Sequence, residues 1–138
     1  MSRVINPDST GKQRTQLSKA IVLAVRELAR QSDVTDQTRD LAAFIAIALQ
    51  IIADGIDVSV TAWEKRDYWI KADKFRMEWA WAEQIAEKMR TSVLSEDWAS
   101  VAILSAQIAQ KLAKVQVSEN HRLGKPWVGS FKQLTLNR

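Results

Sequence analysis

Residues 62–89 read AWEKRDYWIKADKFRMEWAWAEQIAEKM and hold four of the six tryptophans of a 138-residue chain. At about 100° per residue the stretch resolves into two apolar seams on one helix. Tyr68, Ala72, Phe75, Trp79, Ala82, Ala86 and Met89 step alternately by four and three, the spacing of a stripe that packs against a neighbouring helix. Trp63, Ile70, Met77, Trp81 and Ile85 form the second seam on roughly the opposite side, with Asp67, Lys71, Lys74 and Glu78 between the two along one flank. A helix with two apolar faces requires two neighbours, so this stretch predicts a bundle in which the second neighbour is either another helix of the chain or a partner subunit.

The charges speak against a nucleic-acid platform in the same stretch. Stacked bases need exposed rings beside a basic groove, whereas Lys65, Arg66, Lys71, Lys74, Arg76 and Lys88 are matched by Glu64, Asp67, Asp73, Glu78, Glu83 and Glu87. Asp67 and Lys71, acid first and four apart, support their own helix. Trp69 falls off both seams among charged residues and is the candidate exposed aromatic, suited to ligand stacking.

Upstream, LAAFIAIALQIIA, residues 41–53, is apolar on every side apart from Gln50, which predicts a central helix surrounded by others. The run is shorter than the ~20 residues of a membrane span, and MSRVINPDSTGK at the start has no apolar signal-peptide core, so a soluble, cytoplasmic protein with no membrane partner is expected. Asp33 and Thr35 in SDVTDQTRD are N-cap candidates. One unbroken helix from residue 36 to 90 would be about 80 Å long, too long for a domain of this size. A break is therefore expected either at Gly55, followed by the capping-box pattern Thr61 to Glu64, or at Arg66-Asp67 with Asp67 capping the next helix.

An amphipathic first helix is expected from about Lys12 to Gln31, with Leu17, Ile21, Ala24 and Leu28 on one face. A last long helix, capped by Ser95, should run to about Val115 along the seam Trp98, Val101, Ser105, Ile108, Leu112 and Val115. Beyond it periodicity is lost and Gly124, Pro126 and Gly129 appear, predicting an extended tail whose Trp127, Phe131 and Leu134 clip onto the bundle. The expected organisation is a flexible N-terminal arm over 1–11, a helical bundle over 12–115 and a basic tail over 116–138. The expected fold is all-α: a four-helix, mostly antiparallel bundle of long amphipathic helices with an irregular basic C-terminal tail. A chain of this length buries about 68–70% of its unfolded surface and needs no staple.

Several chemistries are missing. Without cysteine there are no disulfides, thiolate zinc sites or cysteine nucleophiles. His121 is the only histidine and lies in the tail, so neither a Glu-x-x-His metal pair nor a histidine triad can be built. Asp33, Asp36 and Asp40 suit a helix start, and Asp54 with Asp57 flanks a candidate turn, better than either suits magnesium. Half of a nucleotide hydrolase's acidic pattern is imitated by Glu64 and Asp67, without a second pair downstream. GIDVSVTAWEKR superficially resembles the turn and recognition helix of a helix-turn-helix protein over about a dozen residues. Its Ile51 stands four before Gly55, where that motif takes a small residue, so a bundle turn is the simpler reading. STGK ends like a phosphate-binding loop but lacks its first glycine and strand. No catalytic set, metal or cofactor is expected.

The net charge of +4 is uneven: residues 1–30 carry +4, residues 31–115 carry −3 and residues 116–138 carry +3. The sequence therefore favours a non-enzymatic interaction or assembly protein, self-associating as a homo-oligomer or meeting a protein partner through Trp63, Ile70, Met77, Trp81 and Ile85. Its alternative is a small helical subunit of a larger complex that contacts nucleic acid, or another acidic partner, through Arg3, Lys12, Arg14, Arg122, Lys125 and Lys132.

Overall fold

A computed structural model of the chain describes residues 7–137, with side chains from Thr10 onward. The described residues form five helices and no strands: α1 (Pro7–Ala29), α2 (Asp36–Lys65), α3 (Trp69–Leu94), α4 (Trp98–Lys111) and α5 (Ser130–Leu136). α1 begins five residues before the expected Lys12, inside the stretch assigned to a flexible arm. Proline suits the first turn, where its missing N–H would be unpaired anyway.

α2 begins where the sequence placed it, capped by Thr35 rather than Asp33. The Thr38 N–H donates to Thr35 Oγ1 at 3.4 Å and the Thr35 N–H to Thr38 Oγ1 at 3.0 Å, a reciprocal pair that settles two end groups of the helix. The apolar run then lies at the centre, with Leu41, Ile45, Leu49 and Ile52 fully buried as α2 packs against α1, α3 and α5. Burying each such side chain contributes about 1.5–3 kcal/mol. At 30 residues, α2 is long and apolar enough to cross a membrane, contrary to the estimate from residues 41–53 alone, but its apolar window is mostly covered by the other helices.

Gly55 does not break α2. It marks a close crossing with α1: a Cβ built there would stand 2.7 Å from Thr10 Cγ2. A Gly55→Ala substitution gains about 1 kcal/mol of helix propensity but overpacks the crossing at a cost of about 1–3 kcal/mol. It should therefore destabilise the wild-type chain, yet stabilise a Thr10→Ser background from which that methyl has been removed. Urea unfolding of the four variants measures the reversal, and equal effects in both backgrounds would contradict the crossing.

The break falls instead at Arg66-Asp67. The Arg66 N–H returns to the Trp63 carbonyl at 3.0 Å, and Asp67 takes a left-handed φ of 62° that turns the chain. Asp67 is not the cap of α3: that position is Tyr68, without a side-chain cap bond. The next turn also differs from expectation. Ser95 closes α3, its hydroxyl donating to the Thr91 carbonyl at 2.9 Å, while Asp97 caps α4 by accepting from the Ser100 N–H at 3.2 Å and the Ser100 hydroxyl at 2.7 Å. These bonds from the Ser100 hydroxyl and then its N–H hold the Asp97 carboxyl below its ordinary pKa.

A depressed carboxylate stabilises the fold at pH values above its unfolded pKa of about 3.9 and loses that contribution as pH falls through the folded value. Asp97→Asn keeps an acceptor but no charge. The melting temperature of the wild type should therefore exceed that of Asp97→Asn above pH 5, and the gap should close on acidification towards pH 2. A constant gap would assign the effect to something other than this ionisation.

α4 ends at Lys111, earlier than Val115, and it buries Val101, Leu104, Ser105 and Ile108, with Leu112 just beyond. The expected irregular tail contains α5. Gly129 precedes α5 at φ 84°, and the Asp40 carboxylate on α2 accepts from the Gly129 N–H at 3.2 Å and the Phe131 N–H at 2.9 Å, capping a helix 90 residues away in sequence. Trp127 and Leu134 join the core, and Arg90 on α3 donates to the Asn137 carbonyl at 2.6 Å.

Candidate protein-interaction face on α3

α3 lies along α2 through its first seam, where Ala72, Ala82, Ala86 and Met89 are buried, Phe75 and Trp79 are half-buried, and only Tyr68 stays outside. Small residues at three of these positions let the two helices approach closely. The second seam is divided by the fold. Ile85 is core, whereas Ile70 and Met77 are 75% and 78% exposed. Helix length explains the division: α3 has 26 residues and spans about 39 Å, but α4 has 14 and spans about 21 Å. Residues between Gln84 and Ser92 of α3 line a groove with Ser100, Ile103 and Leu104 of α4, and Ile70 and Met77 lie N-terminal to it on the second seam.

Trp63 and Trp81, the remaining members of that seam, are half-buried in an aromatic and cationic ladder. Trp63, near the end of α2, meets Phe75 edge to face at 4.8 Å between ring centres, with Lys71 Nζ 4.5 Å from the Trp63 ring. Trp79 and Trp81 stack at 5.7 Å. The Arg14 guanidinium from α1 lies 4.7 Å from the Phe75 ring centre and 5.9 Å from Trp79. Its Nη1 is buried without a hydrogen-bond partner; burial lowers the Arg14 pKa, against the raising effect of the Glu78 charge. The ladder ties α1, α2 and α3 together, and Arg14 spends its planar cation on rings inside the protein.

Arg76 joins α2 to α3 at the surface, reaching Glu64 at 3.0 Å and Asp73 at 2.6 Å; bonding to Glu64 and then Asp73 raises its pKa further. Being exposed, the pair fixes orientation more than it adds stability. Around the uncovered half of α3, Tyr68 and Trp69 are each just over half exposed, so four large apolar side chains occupy positions 68–77 at the surface. Such a concentration is characteristic of interaction surfaces.

Among the described residues, no hydrogen bond or ion pair gathers the other sequence-selected residues into one site. Lys12 is exposed on α1, Arg122 and Lys125 are exposed on the segment before α5, and Lys132 is exposed on α5. Arg3 lies outside the described residues. His121 accepts the Leu123 N–H on Nδ1 at 3.4 Å, an ordinary loop contact. Among the described residues no three or more His, Asp or Glu side chains are arranged to hold a metal ion.

The class defined by these features is an all-helical protein with an uncovered apolar helix face. No family model, curated protein or solved structure matches the chain.

Proposed function

We propose that this is a non-enzymatic assembly protein whose four longer helices act as a mostly antiparallel bundle and which pairs with a second copy of itself through the N-terminal half of α3. The observation that carries the reading is the exposure of Ile70 and Met77 in line on one helix face, beside Tyr68 and Trp69. Aromatic residues and methionine are enriched in interface cores, and the flank carries Lys71 and Lys74 with Asp73 and Glu78, both signs together, so the face does not repel its own copy. A cytoplasmic setting accords with the covered apolar helix and the absence of cysteine. The nucleic-acid alternative is the weaker reading, since Arg14, one of its six cations, is turned onto Phe75 and Trp79.

Size-exclusion chromatography with light scattering, on full-length protein purified without nuclease, tests both readings in one peak. Twice the 15.6 kDa chain mass with a protein-like 260/280 nm ratio is expected. A monomer at tens of micromolar would refute self-assembly, and a nucleic-acid ratio would replace it with the alternative.

A further inference from the structure

We propose that the cleft between the C-terminal half of α1, the α1–α2 turn and α4 binds a neutral, mostly apolar small molecule bearing one hydrogen-bonding group. The cleft encloses about 450 Å³, within the range of small-molecule sites. Val25 and Leu28 of α1 face Trp98, Val101, Ala102 and Ala106 of α4 across it. α1 and α4 meet only sparsely, and the alanines leave the space between them open where larger side chains would have filled it.

Polar groups in the wall differ in what they have left to offer. Thr38 Oγ1 accepts from the Thr35 N–H at 3.0 Å and donates to the Asp33 carbonyl at 2.9 Å, and Gln31 Nε2 donates to the Glu27 carbonyl at 3.3 Å, so both already hold the turn together. Ser105 is different. It is 7% exposed, lines the cleft between Trp98 and Ala109, and its Oγ is shielded from water with no hydrogen-bond partner. A buried hydroxyl left unpaired is destabilising, and a χ1 rotation towards a ligand donor or acceptor would recover that loss. No lysine or arginine lines the cleft, so a carboxylate or phosphate would find no counter-charge there, and Asp33, the one charged side chain of the wall, is exposed to water that screens its pull on a cation; the occupant is therefore neutral.

The probe is N-phenyl-1-naphthylamine, a neutral aromatic amine with one N–H that brightens on leaving water, titrated onto the full chain. Saturable binding of one molecule per chain is expected. Ala106→Trp fills the cleft from an exposed position and should weaken binding at least tenfold; if it loses helical circular dichroism, Ala102→Phe serves as the blocking variant. Ser105→Ala should weaken binding about fivefold, the worth of one neutral hydrogen bond, while melting at or above the wild-type temperature. The paired change Ile70→Asp with Met77→Asp should leave binding intact. Absence of saturable binding, unchanged binding in both the blocking and Ser105→Ala variants, or loss of binding in the α3 variant would each overturn the proposal.

Discussion

Replacing Trp127 with alanine is expected to lower the unfolding free energy by about 3–5 kcal/mol, the cost of truncating a buried tryptophan in a core that only partly collapses around the void. Trp127 is 4% exposed and belongs to the same core cluster as the residues of α2, although it follows a segment with no regular structure. Its anchor point is Asp40. Removing that carboxylate with Asp40→Ala strips the N–H groups of Gly129 and Phe131 of their acceptor, and a loss of about 1.5–3 kcal/mol follows from hydrogen bonding to a charged group. Both variants should speed trypsin cleavage after Arg122 and after Lys132 of α5, the Lys125–Pro126 bond being resistant to trypsin, because the docked segment opens before the bundle does. Denaturant unfolding monitored by circular dichroism, with mass spectrometry of the tryptic products, gives the two readings. A Trp127→Ala chain as stable as wild type and cut no faster would mean that the C-terminal segment is not held to the bundle.

The second large effect concerns association. Ile70→Asp combined with Met77→Asp is expected to weaken self-association at least a hundredfold, since two central interface anchors together carry about 3 kcal/mol or more and each 1.4 kcal/mol is tenfold. Both side chains are more than 70% exposed, so the melting temperature of the dissociated chain should stay within about 2 °C of wild type, as for other surface changes. Trp81→Asp is the less clean probe. Trp81 is half-buried and stacked on Trp79, so its loss would disturb the ladder and the interface together. Light scattering over a dilution series and thermal unfolding separate these effects: a double variant that remains a dimer would move the interface away from α3.

The two predictions share a physical origin, because both follow from the unequal lengths of the elements around α2. α4 is too short to cover the whole of α3. The C-terminal segment returns to α2 and places Trp127 and Leu134 in the core there. That arrangement covers one apolar surface and leaves Ile70 and Met77 outside.

Periodicity alone determined that the chain is helical, that residues 41–53 are central, that Tyr68 to Met89 contains a core-facing stripe, and that the 98–115 seam turns inwards. These are consequences of local spacing: a 3.6-residue repeat places side chains on a face whatever lies opposite. Tertiary structure decided everything that depends on a distant neighbour. Gly55 resembles a helix break in sequence, but it is a crossing point because Thr10 lies against it. Asp40 looks like one more acid at a helix start, yet its carboxylate caps α5. Arg14 looks like a phosphate contact, yet its guanidinium faces Phe75 and Trp79. The second seam is continuous in sequence but half covered in space, since spacing specifies that a face is apolar while the length and placement of the other helices specify how much of it is buried.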